Sequence, residues 1–395
     1  MRIKKLTYHD KYLDWRLEPL EFSNLNLLVG ASGVGKTRIL KALTDLKNIA
    51  SGMSLNGVAW NVEFSIIDAD YQWSGEFETL GVTQDRTNFY IDNKSMQKSR
   101  IIKEKIIIKQ KSGSQLVSEI VERKQGDIFF QKNKIPAKLS AFESVLKLFS
   151  EDDHIVTLHK GFSEIITEGD ISQTDRFGLQ NDSYSLMIPL LAKQYKTIES
   201  IKDNTFSTFT KLALAYKSIP ETFVEIKENF IDVFPEIEDM KINFKTDSNI
   251  RIKVEPFEEV EATEMVLYFK IRNVDSWISH HYLSAGMIKS LTFIADMYLC
   301  PEGTVILIDE FENSLGINCI NILDELVLMK RNIQYIITSH HPYIINNVPM
   351  SYWKIITRKG SVVKALEANE LNLGKSKHEV FMQLLQLDEF TQGVC

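Results

Sequence analysis

Apolar positions change their period along this chain. Leu25–Val29 is a compact apolar run that ends at Gly30, and residues 1–30 as a whole read as strands. After residue 37 the period lengthens, with Ile39, Leu40, Leu43 and Leu46 at helical spacing. The start of the chain therefore predicts strand, glycine-rich loop, helix. From 58 to 130 alternation takes over. Val62-Glu63-Phe64-Ser65-Ile66, Asn88-Phe89-Tyr90-Ile91, Ile106-Ile107-Ile108 and Ile128-Phe129-Phe130 are separated by turn residues such as Lys111-Ser112-Gly113 and Gln125-Gly126-Asp127. That texture predicts an antiparallel sheet.

Residues 138–232 read as mostly helical, with amphipathic stretches at 139–149 and 206–216. Strand patterning returns over 243–272. A helix is expected at 284–299, a buried strand at 304–308, a helix near 317–330 and a last apolar strand at 333–338. The two ends are expected to form one doubly wound α/β core. The expected layout is then 1–57 and 273–395 as the two parts of that core. Between them lie an antiparallel β subdomain at 58–137 and a mainly helical insertion with strands at 138–272. No repeat, low-complexity tract or long heptad series interrupts it.

Composition narrows the class without changing it. The chain has 395 residues, 44% hydrophobic and 25% charged, which is ordinary for a globular protein. No apolar run has membrane-spanning length and no signal segment opens the chain, so a soluble, cytoplasmic protein without membrane partners is expected. Cys300, Cys319 and Cys395 are far apart and form no CxxC pair, which predicts reduced thiols. The net charge of -7 argues against non-specific coating of nucleic acid. A solvated strand face explains the mixed charges from Lys103 to Lys109 more cheaply than a phosphate track does.

Two motifs carry chemistry. Gly30-Ala31-Ser32-Gly33-Val34-Gly35-Lys36-Thr37 satisfies G-x-x-x-x-G-K-[ST] between a strand and a helix. Its glycines let backbone N–H groups turn toward phosphate oxygens around Ser32, Gly33, Val34 and Gly35. Lys36 would reach the β and γ phosphates of ATP, and Thr37 would place its hydroxyl on Mg2+. Val305-Ile306-Leu307-Ile308-Asp309-Glu310 is a buried strand that ends in two carboxylates. Asp309 would hold the metal, and Glu310 would polarise the attacking water.

Three further segments give a family resemblance. Leu283-Ser284-Ala285-Gly286-Met287 resembles the LSGGQ signature of ABC ATPases, Glu312-Asn313-Ser314-Leu315 the D-loop, and Thr338-Ser339-His340-His341-Pro342 the switch-histidine segment. The run from Leu307 to Leu315 is similar to the branch that holds OLD-type ATPases and the ATPases of anti-phage systems such as PARIS and Septu. Phe311 stands where that branch has proline, and His341 where it has serine. Ala285 and Met287 replace glycine and glutamine of the signature, while Ser284 and Gly286 are kept. If position 285 needed a positive φ, alanine there would cost stability.

The resemblance implies a P-loop ABC ATPase that works as a head-to-tail dimer or higher assembly. Ser284 and the N–H groups near Gly286 would then contact the γ-phosphate of ATP held by the other subunit, and His340 would hydrogen-bond it. Slow turnover fits the altered signature. The glutamine loop is unassigned, with Gln72 and Gln131 as candidates. His280 and His281 are expected in a packing or polar role. The implied function is a switch in anti-phage defence that senses a phage-encoded trigger and holds or releases an effector such as a nuclease. Residues 343–395 are too few for a fused Toprim domain, so the effector is expected on another chain. The alternative is a RecF-like, ATP-dependent DNA clamp in repair. A transporter ATPase fits poorly, because its signature lies much closer to the phosphate loop. A nucleotide-binding scaffold without hydrolysis is the non-enzyme alternative.

Overall fold

The computed structural model describes residues 1–81, 98–111, 117–124, 126–167, 187–252, 260–314 and 331–367. The chain folds as two compact units. The first comprises Met1–Ile165, Gly303–Asp309 and Arg331–Cys395; the second comprises Ile166–Glu302 and Glu310–Lys330. The expected strand at 88–91, the helix near 317–330, Leu315, Cys319 and Cys395 lie outside the described residues.

The first stretch of chain forms β1 (Arg2–Asp10), β2 (Trp15–Glu21), β3 (Leu25–Val29), α1 (Lys36–Ala50), β4 (Val58–Ile66) and β5 (Ala69–Phe77). It continues through β6 (Ile101–Lys111), β7 (Ser118–Lys124), β8 (Asp127–Phe130), β9 (Asn133–Lys134), α2 (Val145–Leu148), α3 (Val156–Ser163) and the short β10 (Ile165–Ile166). β4 to β8 pair antiparallel in sequence order. Their inner face alternates in register with solvent-facing positions. Trp60, Phe64, Trp73, Phe77 and Phe162 are all buried there, and Trp73 meets Phe162 edge-on at 4.8 Å. Gly75 makes room for this cluster, since a β-carbon on it would lie 2.3 Å from the Trp60 ring.

The amphipathic stretch 139–149 does not form one helix. Only α2, a single turn, is helical. The Arg123 guanidinium takes the Ser140 and Glu143 carbonyls at 3.0 and 2.7 Å, which a helix would have needed for itself. Beside it the buried Glu104 carboxylate accepts from Ser144 Oγ, Val145 N and Trp73 Nε1. Tertiary polar contacts thus outcompete a local helical pattern.

The second unit contains α4 (Ile188–Gln194), α5 (Ile198–Lys202), α6 (Thr208–Ser218), α7 (Pro220–Val233), the antiparallel sheet β11 (Ile237–Ile252), β12 (Val260–Ile271) and β13 (Trp277–Ser279), and α8 (Ala285–Leu299). Thr208 Oγ1 donates to Asp296 at 2.6 Å, which ties α6 to α8.

The chain then returns to the first unit with β14 (Val305–Ile308). After α9 (Phe311–Ser314) of the second unit come β15 (Gln334–Thr338), α10 (Pro342–Asn347), β16 (Trp353–Lys359) and β17 (Val362–Glu367). β14, β15, β3 and β16 lie side by side and parallel. β17 and β2 connect them to the antiparallel strands. One mixed sheet of 14 strands among the described residues therefore carries both the parallel core and the antiparallel part. β3, β14 and β15 are buried at every position and mostly apolar, as strands covered on both faces must be. The fold is α/β, as the strand–helix alternation predicts. Among the described residues no helix is long and apolar enough to cross a membrane.

Candidate functional site

In the first unit β3 feeds the glycine loop. Gly30 has φ +148°, and a β-carbon on it would stand 2.5 Å from the Ile356 carbonyl oxygen, so only glycine lets the chain leave β3 beside β16. Gly33 and Gly35 have φ +83° and +112°, where other residues are strained. Ser32 and Gly33 are exposed, whereas Val34 is buried and anchors the loop. Gly35 is the N-cap of α1 and offers no side-chain cap, so the positive end of α1 opens onto the loop. Lys36 Nζ lies within the loop and donates to the Gly30 and Ala31 carbonyls at 2.7 and 2.9 Å.

Parallel pairing of β14, β15 and β3 brings three side chains together. Thr37 Oγ1 donates to Asp309 Oδ1 at 3.2 Å, and Thr338 Oγ1 donates to the same oxygen at 2.5 Å. Thr37 comes from α1, Asp309 follows β14, and Thr338 ends β15. A hydroxyl and a carboxylate oxygen at the mouth of a phosphate-binding loop are the hard oxygen donors that Mg2+ takes. The loop conformation and this donor set fit ATP with its metal. Thr338 opens the segment that resembles the switch-histidine motif, but nothing in that pattern points to a bond with Asp309.

Glu310 follows Asp309 at the boundary between the units and is exposed. Its φ of 45° puts a non-glycine residue in the left-handed region, a conformation that costs about 1–2 kcal/mol. Strain of this kind is held where the surrounding fold overrides it, often at functional positions. Phe311, in place of the branch's proline, is fully buried and meets Phe293 of α8 at 6.5 Å, edge to face.

In the second unit Ser284 is the N-cap of α8, its Oγ accepting from Met287 N at 3.2 Å. Ala285 and Gly286 are exposed first-turn residues, and neither has a positive φ. Alanine at 285 is therefore unstrained. His280 is buried with its ring 3.9 Å from that of His281, which is exposed. Burial first, and the neighbouring His281 second, hold the His280 pKa down at about 4.

The two histidines after β15 differ in use. His341 caps α10, its Nδ1 accepting from Tyr343 N at 3.2 Å. His340 is exposed immediately after the buried Ser339. Of the glutamine-loop candidates, Gln72 bonds Asn61 within the antiparallel sheet and Gln131 bonds His154.

A family described as "AAA domain, putative AbiEii toxin, Type IV TA system" matches residues 25–346. The chain belongs to this AAA-domain family. The match runs from β3, past the phosphate loop, to α10, so it contains every position described above as a site candidate. The AAA-domain chain is thereby a P-loop protein of ATPase type. None of the curated proteins matches it. Among solved structures it is similar to an SMC head bound to the C-terminal winged-helix domain of ScpA, at 14% identity and TM-score 0.45, over 93% of this chain and 97% of that one. It is also similar to the SMC head domain from Thermotoga maritima, at 12% identity and TM-score 0.38, over 93% and 99%.

Proposed function

We propose that this protein is an ATP-hydrolysing, ABC-type switch in anti-phage defence. The observation that carries the ATP part is the convergence of Thr37, Asp309 and Thr338 at the glycine loop. The loop N–H groups and Lys36 bind the phosphates. Thr37 and Asp309 would hold Mg2+, which neutralises phosphate charge when bound. Glu310 takes a proton from the attacking water. Ser284 and the N–H groups near Gly286 face the γ-phosphate of ATP held by a second copy, with His340 completing that site.

In this reading ATP closes a head-to-tail dimer and hydrolysis loosens it, because the γ-phosphate joins two surfaces that otherwise lack a partner. The dimer restrains a separate toxic effector, a nuclease, and a phage product triggers release. The association of the family with a toxin–antitoxin system supports a role as one component of such a pair. The exposed signature turn at Ser284 supports the dimer.

The decisive experiment has two arms. Wild-type protein releases phosphate from ATP in a magnesium-dependent manner, and Glu310→Gln reduces the rate at least about a hundredfold, within the range for loss of a general base. Equal rates would remove Glu310 as the base, and no magnesium-dependent release by the wild type would leave a binding scaffold, not an enzyme. Purification from the native operon is expected to carry a second protein; its absence would remove the effector.

A further inference from the structure

The outer face of the antiparallel sheet in the first unit carries two cross-strand rows. The first runs Arg16, His9, Ala59, Glu76, Lys103 and Lys124 across β2, β1, β4, β5, β6 and β7. The second runs Thr7, Asn61, Ser74, Lys105 and Glu122 beside it. The buried aromatic cluster takes the opposite face, because side chains alternate along each strand. Together the two rows line one groove of about 630 Å³, wholly within the first unit. Five strand spacings make it about 24 Å long.

The floor and the ends of the groove differ. Ala59, Thr7, Asn61 and Ser74 are short, and they leave the middle hollow. Among the described residues no protein group bonds the Thr7 or Ser74 hydroxyl. Asn61 Oδ1 accepts from Gln72 Nε2 at 2.6 Å, so its own amide N–H groups remain for another acceptor. Cations crowd the ends. Lys103 and Lys124 stand directly opposite each other, a like-charge pair that weakens a sheet. Glu76 serves both Lys11 and Lys103, and Glu122 serves both Lys105 and Lys124. At the far end Arg16 is exposed, stands opposite His9, and pairs with no carboxylate among the described residues. Apart from the buried pair of Glu104 and Arg123, Arg16, Lys103, Lys105 and Lys124 line the groove against Glu76 and Glu122. That local excess of positive charge sits in a chain whose net charge is -7.

Charge complementarity selects the partner, since the excess attracts an anion. Arg16 and Lys103 lie four strand spacings apart, about 19 Å, a span that suits a chain segment and not a small molecule. A nucleic-acid strand carries a charge at every phosphate and would meet Glu76 and Glu122 along the path. An acidic polypeptide can put its carboxylates at the two ends and neutral groups over the hollow floor. We infer that this groove docks an acidic segment of a partner polypeptide, the separate effector, an assignment that rests on the switch having such an effector.

The test is fluorescence anisotropy of the full chain with a labelled oligoglutamate of about eight residues, enough to span the groove when extended. Arg16→Glu with Lys103→Glu is expected to weaken binding at least about tenfold, since two attractions become repulsions. Ala59→Trp fills the hollow floor without removing an ion pair and is expected to weaken binding by a similar factor. Lys193→Glu with Lys196→Glu makes the same charge change on exposed residues of the second unit and is expected to bind as the wild type does. In the complex purified from the native operon, both groove variants are expected to lose the second protein while the control keeps it.

The assignment falls if oligoglutamate does not bind the wild type, if both groove variants bind it as tightly, or if the control loses as much as they do. Groove variants that retain the second protein also overturn it. So does oligothymidylate that binds more tightly than oligoglutamate and is lost in the same variants, which would make the groove a nucleic-acid site. A preparation with no second protein removes the effector alone, and the oligoglutamate titration then decides the groove.

Discussion

Thr338 donates a hydrogen bond to a carboxylate that also receives one from Thr37. Its methyl-bearing neighbours in β15 are buried, so its hydroxyl is the polar exception at the strand end. Thr338→Val leaves Asp309 short of a donor and lets the carboxylate rotate. Hydrolysis is expected to fall by about tenfold or more, as for a lost hydrogen bond to a charged group. Thr338→Ser is expected to keep the rate, and initial rates at saturating magnesium would show the contrast. His280 gives a pH prediction. Its folded pKa of about 4 lies below the ordinary 6.5, so the fold favours the neutral ring. The unfolded chain takes up the proton first as pH falls. Stability is therefore complete above pH 6.5 and is lost toward pH 4, at about 1.4 kcal/mol per pH unit. Urea unfolding across that window is expected to lose this slope in His280→Gln. Residue by residue, the phosphate loop and acidic pair were legible because phosphate and metal chemistry demand fixed types at fixed spacing. The bond from Thr338 to Asp309 and the left-handed backbone at Glu310 were not, since neither follows from local spacing.

Among elements, the hairpin between β4 and β5 turns through Ile67, a β-branched residue with φ 52° and 88% exposure. It pays conformational strain and gains no burial. Ile67→Gly or Ile67→Asn is expected to stabilise the protein by about 1 kcal/mol, the cost of a left-handed β-branched residue less the entropy of glycine. A raised midpoint in chemical denaturation would show it. The opposite is expected where the polar pin joins β6 and β7 to α2. Arg123→Met strands the buried Glu104 carboxylate and is expected to destabilise by about 3–5 kcal/mol. Replacing both partners by apolar residues of similar volume is expected to cost much less. Among the described residues, the strands before the glycine loop, the antiparallel sheet after it, β14, β15, α1 and α8 were readable from period. The failed helix over 139–149 was not, because Arg123 competes for its carbonyls from outside the local window. β16 and β17 were not expected, since Lys354, Arg358 and Lys359 in one and Lys364 and Glu367 in the other interrupt the apolar pattern.

At the scale of the molecule, the proposed composite site predicts an assembly that ATP controls. Glu310→Gln with ATP is expected to double in mass by light scattering, and to remain a smaller species with ADP. Adding Ser284→Arg, which puts a bulky cation at the exposed N-cap of α8, is expected to prevent that doubling while the loop still binds ATP. A dimer that survives this change would place the interface elsewhere.

The order of strands in the sheet also sets a clock. β3, which launches the phosphate loop, is flanked by β15 and β16, and both neighbours are made some three hundred residues later. During vectorial synthesis the apolar β3 leaves the ribosome with neither edge partner available, and Thr37 exists long before Asp309. The nucleotide pocket therefore cannot assemble on the nascent chain until most of it has emerged. Such long-range parallel pairing is slow to form and exposes strand edges meanwhile. A ribosome stalled before β15 should hold a chain unable to retain nucleotide, and newly made protein should gain that ability late and abruptly.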